Sequence, residues 1–119
     1  MQKYNIVFYS KGDSSPVRDF IAERTKKEIS KILFCMELLK SKGRELTEPY
    51  SKNIENGINE LRVVFAGNAF RLFYYWDGND AVFVHAIQKK DMKLKRNDIE
   101  IAVKRMKELE GDDKNEKNK

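Results

Sequence analysis

Arg62, Arg71 and a run of cations at Lys89, Lys90, Lys93, Lys95 and Arg96 are the residues of this 119-residue chain best suited to chemistry on a phosphate. A planar guanidinium grips two phosphate oxygens at once, and clustered lysines make an electrostatic footprint for a polyanion. Five cations stand against Asp91 alone in the run, so Lys89 to Arg96 holds net +4 of the chain's +5. Taken by itself, such a run also fits a solvated loop ahead of a helix. Other chemistries lack their residues. Cys35 and His85 are the sole cysteine and histidine, too few for a disulfide framework or a Cys/His zinc site. Neither a metal nor another cofactor is expected. Cys35, within a helical stretch, reads as a small buried hydrophobe.

The elements that must position these residues fit one domain over residues 1–110, followed by a charged, disordered tail over 111–119 with no apolar side chain. Hydrophobic residues make up 40% and charged residues 36%, which suits a folded chain rather than a disordered one. The longest apolar runs, Ile32–Met36 and Leu72–Trp76, fall far short of the roughly 20 residues of a membrane span. The short apolar stretch Ile6–Tyr9 is no secretory core, so a cytoplasmic protein without a membrane partner is expected.

Residues Lys3 to Tyr9 read as a strand, and Ser14-Ser15-Pro16 as the start of a helix with Val17, Phe20 and Ile21 on its stripe. A second helix spans Lys26 to Lys42, with Ile29, Ile32, Leu33, Met36 and Leu39 at helical spacing and Gly43 at its stop. Arg44 to Asn59 reads as an ordered connection. Three antiparallel strands follow within Glu60 to Lys90, turning at Gly67-Asn68 and Gly78-Asn79, and a last helix runs from Asp98 to Glu110. The expected fold is α+β: a small antiparallel sheet with the N-terminal helices on one face, and a C-terminal helix.

A two-residue turn at Gly67-Asn68 sets Leu61 opposite Tyr74 and Val63 opposite Leu72 on the core face. Glu60 then lies beside Tyr75, Arg62 beside Phe73 and Val64 beside Arg71 on the other. With Gly78-Asn79 as the next turn, Arg71 meets Ala86, Gln88 and Lys90 follow on its face, and His85 falls on the core face opposite Leu72 as a satisfied core histidine. The outer face is basic, and Tyr75 is half available to stack on a base. A surface ion pair of Glu60 with an arginine, worth under about 1 kcal/mol, is the plain reading of this face. RNA fits better, offering phosphates to the guanidinium groups and bases to the aromatic rings.

Three segments carry a resemblance: Asn59-Glu60-Leu61-Arg62, Phe70-Arg71-Leu72-Phe73-Tyr74 and Val84-His85-Ala86-Ile87-Gln88-Lys89-Lys90, followed by a charged helix with Glu100 and Ala102. With Ser15-Pro16-Val17 and Phe20-Ile21, they make the chain similar over residues 3–110 to the HigB-like, phage-derived branch of the RelE/ParE toxins. The resemblance implies a RelE-like fold and the toxin of a type II toxin–antitoxin pair: a metal-independent, ribosome-dependent mRNA endoribonuclease acting in the ribosomal A site. Its silencing partner would be a helix-turn-helix antitoxin of the HigA-like kind. By motif position, Arg62 and Arg71 would polarise the scissile phosphate, Lys89 and Lys90 would hold RNA backbone or donate to the leaving oxygen, and Glu60 would orient an arginine or accept the 2′-OH proton. Lys93, Lys95, Arg96 and Tyr75 would bind RNA. The chain departs from the branch after the lysines, where Asp91-Met92-Lys93-Leu94-Lys95 replaces a Thr-x-Lys-Thr-Pro-like run. RNA supplies its own 2′-OH nucleophile, so aligned arginines suffice to stabilise the developing charge, and the ends would be a 2′,3′-cyclic phosphate and a 5′-OH. Two alternatives stand beside it, a ParE-like inhibitor of DNA gyrase on the same fold and a non-catalytic RNA-binding module, and the set Glu60, Arg62, Arg71, Lys89 and Lys90 favours RNA cleavage.

Overall fold

Ile6, Val7 and Phe8 give the first strand its β-forming character. In the computed structural model, which describes residues 3–89 and 96–117, β1 spans Asn5–Phe8. Helix α1 (Pro16–Ala22) begins on its proline, but Ser15 makes no side-chain cap, its hydroxyl instead donating to the carbonyl of Tyr9. Helix α2 (Lys26–Lys42) opens on a reciprocal capping box, in which Thr25 Oγ1 accepts from the Glu28 amide and the Glu28 carboxylate accepts from the Thr25 amide. Beyond a short 3₁₀ turn at Gly43–Glu45, the chain makes β2 (Ser51–Glu55), β3 (Ile58–Phe65), β4 (Asn68–Asp77) and β5 (Asp80–Lys89), and then α3 (Arg96–Lys117). Among the described residues, no helix is long and apolar enough to cross a membrane.

The α+β class, the meander and the C-terminal helix agree with the sequence reading. The sheet order is β1-β5-β4-β3-β2, antiparallel except where β1 lies parallel to β5. The chain leaves β1 at one edge, crosses a face of the sheet as α1 and α2, re-enters at the opposite edge as β2 and returns strand by strand to β1. That crossing buries Val17, Ile32, Cys35, Met36 and Leu39 against Leu61, Val63, Phe70, Leu72 and Tyr74.

Several expectations are corrected. The stretch read as a connection contains β2, whose polar Ser-Lys-Asn start hides it; Ser51 is buried and its hydroxyl shares a 2.6 Å hydrogen bond with Tyr74. The β3–β4 turn sits one residue earlier than expected, at Ala66-Gly67, both with positive φ. Leu61 therefore faces Leu72, and Arg62 faces Arg71. The shift along the ladder is two residues, so every side chain keeps the face it was expected to have. The second face is not open, because α3 packs on it and buries Ile58, Phe73, Tyr75, Val82 and Val84 beneath Ala102 and Met106. Helical backbone in α3 also continues through Gly111 to Lys117, past the expected stop at Glu110.

A positive φ constrains one glycine more than the others. Gly43, the C-cap of α2, has φ +58°, and the ring of Tyr4 occupies the place a Cβ would take. That ring packs edge-on against Trp76, whose face carries the Arg44 guanidinium 4.8 Å from its centroid. Gly67, with φ +80°, has open space instead. Gly67→Ala should therefore cost about 1 kcal/mol for backbone strain alone, and Gly43→Ala clearly more. Urea denaturation of both variants checks this; equal losses would mean that Tyr4 yields freely.

Candidate functional site

Strand β4 is buried on both faces from Phe70 to Tyr75, and Arg71 stands in the middle of that run. A buried guanidinium requires a partner. Glu60, two rungs away on β3 and on the same face, supplies it: its Oε2 lies 3.6 Å from Arg71 Nη1, and both residues are 4% exposed. The pair expected at the surface is thus enclosed. Burial pushes the Glu60 carboxyl above its ordinary range, outweighing the opposing pull of Arg71, Arg62 and Lys52. Directly across from Arg71 stands the half-buried Arg62. Like charges on facing positions disfavour a sheet, so this rung suits a surface that takes up anions.

A bulge brings a histidine to the same face. The β4–β5 register shifts between Phe73 and Tyr74, which leaves Val84 as the extra residue. Beyond it, His85 pairs with Phe73 and Ile87 with Arg71, whereas Ala86 and Gln88 turn to the α1/α2 side. His85 therefore leaves the core face on which strict alternation placed it, and Gln88 leaves the Arg71 face. The carbonyl of Val84 accepts a 2.7 Å bond from Arg105 of α3, so the helix holds the bulge. The His85 ring stacks on Phe73 with centroids 5.7 Å apart, and Nε2 lies 3.0 Å from Asp98 Oδ1 in the first turn of α3. Burial, aided by Arg105, lowers the pKa of His85 against the opposing influence of Asp98, which keeps the imidazole neutral at pH 7.

Other residues singled out in the sequence lie elsewhere. Tyr75 is 7% exposed under α3, which leaves no ring face for a base and corrects its expected stacking role. Arg96 is exposed, bonded to Glu55 at 2.5 Å and 3.6 Å from Glu100. Glu55 pairs with Ile58, and Arg62 is four residues further along β3, about 13 Å by strand rise. The Lys89 backbone closes β5 opposite Ala69, one rung past Arg71's neighbours on that ladder. Lys90, Lys93 and Lys95 lie outside the described residues. Glu60, Arg62 and Arg71 are thus brought together, while Tyr75 and Arg96 are not among them. His85 and Asp98, which the sequence reading left out of the site, form a bonded pair on the face that carries Arg71.

Burial of the Glu60–Arg71 pair has a pH signature. Because the folded-state pKa of Glu60 is raised, the stability its neutral form contributes is present below the unfolded value, about 4.3, and is lost as pH rises through the folded value. Removing Arg71 raises that value further. Arg71→Ala should therefore destabilise the fold by about 3–5 kcal/mol near neutral pH, with the gap from wild type narrowing as Glu60 protonates. Urea melts across the acid range measure it, and a gap independent of pH would mean that the two groups do not interact.

Residues 19–107 match the family described as phage derived protein Gp49-like (DUF891). No curated protein gives a significant match. Both arginines, Glu60 and the bulged strand with His85 lie inside the matched span. The chain belongs to the phage-derived Gp49-like family, which is associated with toxin–antitoxin toxins of the RelE/ParE-like kind.

Proposed function

We propose that this protein is the toxin of a type II toxin–antitoxin system, a metal-independent endoribonuclease that cuts mRNA in the ribosomal A site in the cytoplasm. A cognate antitoxin, of the helix-turn-helix HigA-like kind, silences it. The observation that carries this reading is the facing pair Arg62 and Arg71, beside Glu60, on the sheet face that also carries α3. Two guanidinium groups on one rung repel each other, and a phosphate between or above them removes that repulsion.

The roles divide by accessibility. Arg62, half-buried, meets the non-bridging oxygens of the scissile phosphate. Arg71, enclosed, fixes Glu60 and adds its field at short range, where the low dielectric strengthens it. Lys89 and Lys90 hold the RNA backbone or donate to the leaving oxygen, and Lys93, Lys95 and Arg96 extend the basic track. The ribosome supplies the alignment of 2′-OH and phosphate that a small sheet face lacks.

Arg62→Ala should slow single-turnover cleavage on mRNA-programmed ribosomes by about a hundredfold, as loss of a preorganised donor does elsewhere. Arg62→Lys should recover only part of that rate, because the ammonium lacks the planar fork. Cut ends should carry a 2′,3′-cyclic phosphate. Inhibition of gyrase supercoiling without any cut mRNA would overturn this reading in favour of the gyrase-directed activity.

A further inference from the structure

We propose that His85, held by Asp98, is the proton acceptor of this site, taking the proton from the attacking 2′-hydroxyl of the RNA. The inference rests on the ribonuclease reading above and adds a residue that the arginine and lysine motifs do not contain.

Position is the first argument. The Val84 bulge turns His85 onto the face that carries Arg71, Arg62 and Glu60, and Arg105 locks that bulge through its bond to the Val84 carbonyl. His85 pairs with Phe73, the second residue along β4 from Arg71. It is therefore the diagonal neighbour of Arg71, about 7–8 Å away between backbones and within reach of one bound phosphodiester. Its side chain is 14% exposed, more open than those of Glu60 at 6% and Arg71 at 5%. Bulges recur beside active sites because they re-aim one side chain without disturbing the rest of a sheet.

Orientation is the second. A carboxylate can only accept, so the 3.0 Å contact with Asp98 fixes the proton of the neutral ring on Nε2 and the lone pair on Nδ1. Stacking on Phe73 fixes the ring plane. The charged groups facing the ring among the described residues are Asp98 and Arg105 from α3 and, on the diagonal, Arg71 from β4. Burial, aided by Arg105, outweighs the single carboxylate, so the ring stays unprotonated at neutral pH and able to accept. Arg71 and Arg62 carry no such lone pair, and the more enclosed Glu60 is committed to Arg71.

The step balances without a co-reactant. The 2′-OH proton passes to Nδ1 as the 2′-oxygen bonds to phosphorus. The bond from phosphorus to the 5′-oxygen breaks, and that oxygen takes a proton from water. The imidazolium returns its proton to the hydroxide so formed, while Asp98 stabilises the transient charge.

Single-turnover cleavage of ribosome-bound mRNA with a mixed A-site codon, followed from about pH 5 to about pH 8 alongside thermal melts, tests the assignment. In the wild-type chain the rate should rise through an inflection below about pH 6.5 and then level. His85→Gln should lower the plateau by about a hundredfold or more and abolish the inflection. Asp98→Asn removes the group that stabilises imidazolium, so its inflection should move to lower pH with a smaller loss of plateau; this variant decides the matter if His85→Gln does not fold. A merely structural tie between β5 and α3 would lower the melting temperature and leave the inflection in place. Cleavage by the wild type with unaltered plateau and inflection in both variants would overturn this proposal alone. A wild-type chain that cuts no mRNA would overturn the ribonuclease reading and this proposal with it.

Discussion

The buried pair of Glu60 and Arg71 is the constraint around which the sheet is arranged. Phe70, Leu72 and Tyr74 on β4 point to α1 and α2, and Phe73 and Tyr75 lie under α3, so Arg71 is a charge set into a strand that is otherwise apolar on both sides. Enclosing it without a carboxylate would cost several kcal/mol (on the order of 3–5). Enclosing Arg62 as well would add a second, like charge on the same rung. α3 accordingly covers Ile58, Phe73, Tyr75, Val82 and Val84, while Arg62 stays half-buried and Val64 is exposed. The face is divided into a dry half and a polar half, and the division falls at the rung of Phe73 and His85.

Polar contacts fix where that division falls. Asp98 bonds His85, Arg105 bonds the Val84 carbonyl and Glu108 accepts from the Tyr9 hydroxyl, so one stripe of α3 is tied to β5 and to the end of β1. Arg96 ties the first turn to Glu55 of β2. Surface pairs such as the last contribute little to stability, and their effect here is geometric. They set the rotation and height of the helix on a bed of Val82, Val84 and Phe73 that would by itself tolerate sliding. The same contacts make the bulge permanent, since the carbonyl it would orphan is satisfied from the helix.

How far the sequence discloses this arrangement differs strand by strand. The face shared by Glu60, Arg62 and Arg71 is legible because period-two alternation survives any slip of two residues, and the actual slip is two. In β5 it is not legible. Ala81, Val82, Phe83 and Val84 are apolar on both sides, so alternation marks no face there, and a single extra residue reverses His85, Ile87 and Gln88. Burial of Tyr75 follows from where α3 packs, which no local pattern in β4 reports. β2 escapes because an edge strand with Ser51, Lys52 and Asn53 has the composition of a loop. Asp98 is visible as an acidic residue in a first helical turn, a common place for one, and only the bulge gives it a partner.

The basic run gains its relevance from connectivity. The chain leaves β5 at Lys89, two rungs from that of Arg71 and Ile87, and is again helical at Arg96, two residues before the Asp98 that holds His85. Lys90, Lys93 and Lys95 each fall within three residues of Lys89 or Arg96 in sequence. Lysines on α2, by contrast, lie across the sheet from Arg62 and Arg71. Of the chain's net charge of +5, +4 thus falls between Lys89 and Arg96, the segment that joins β5 to α3.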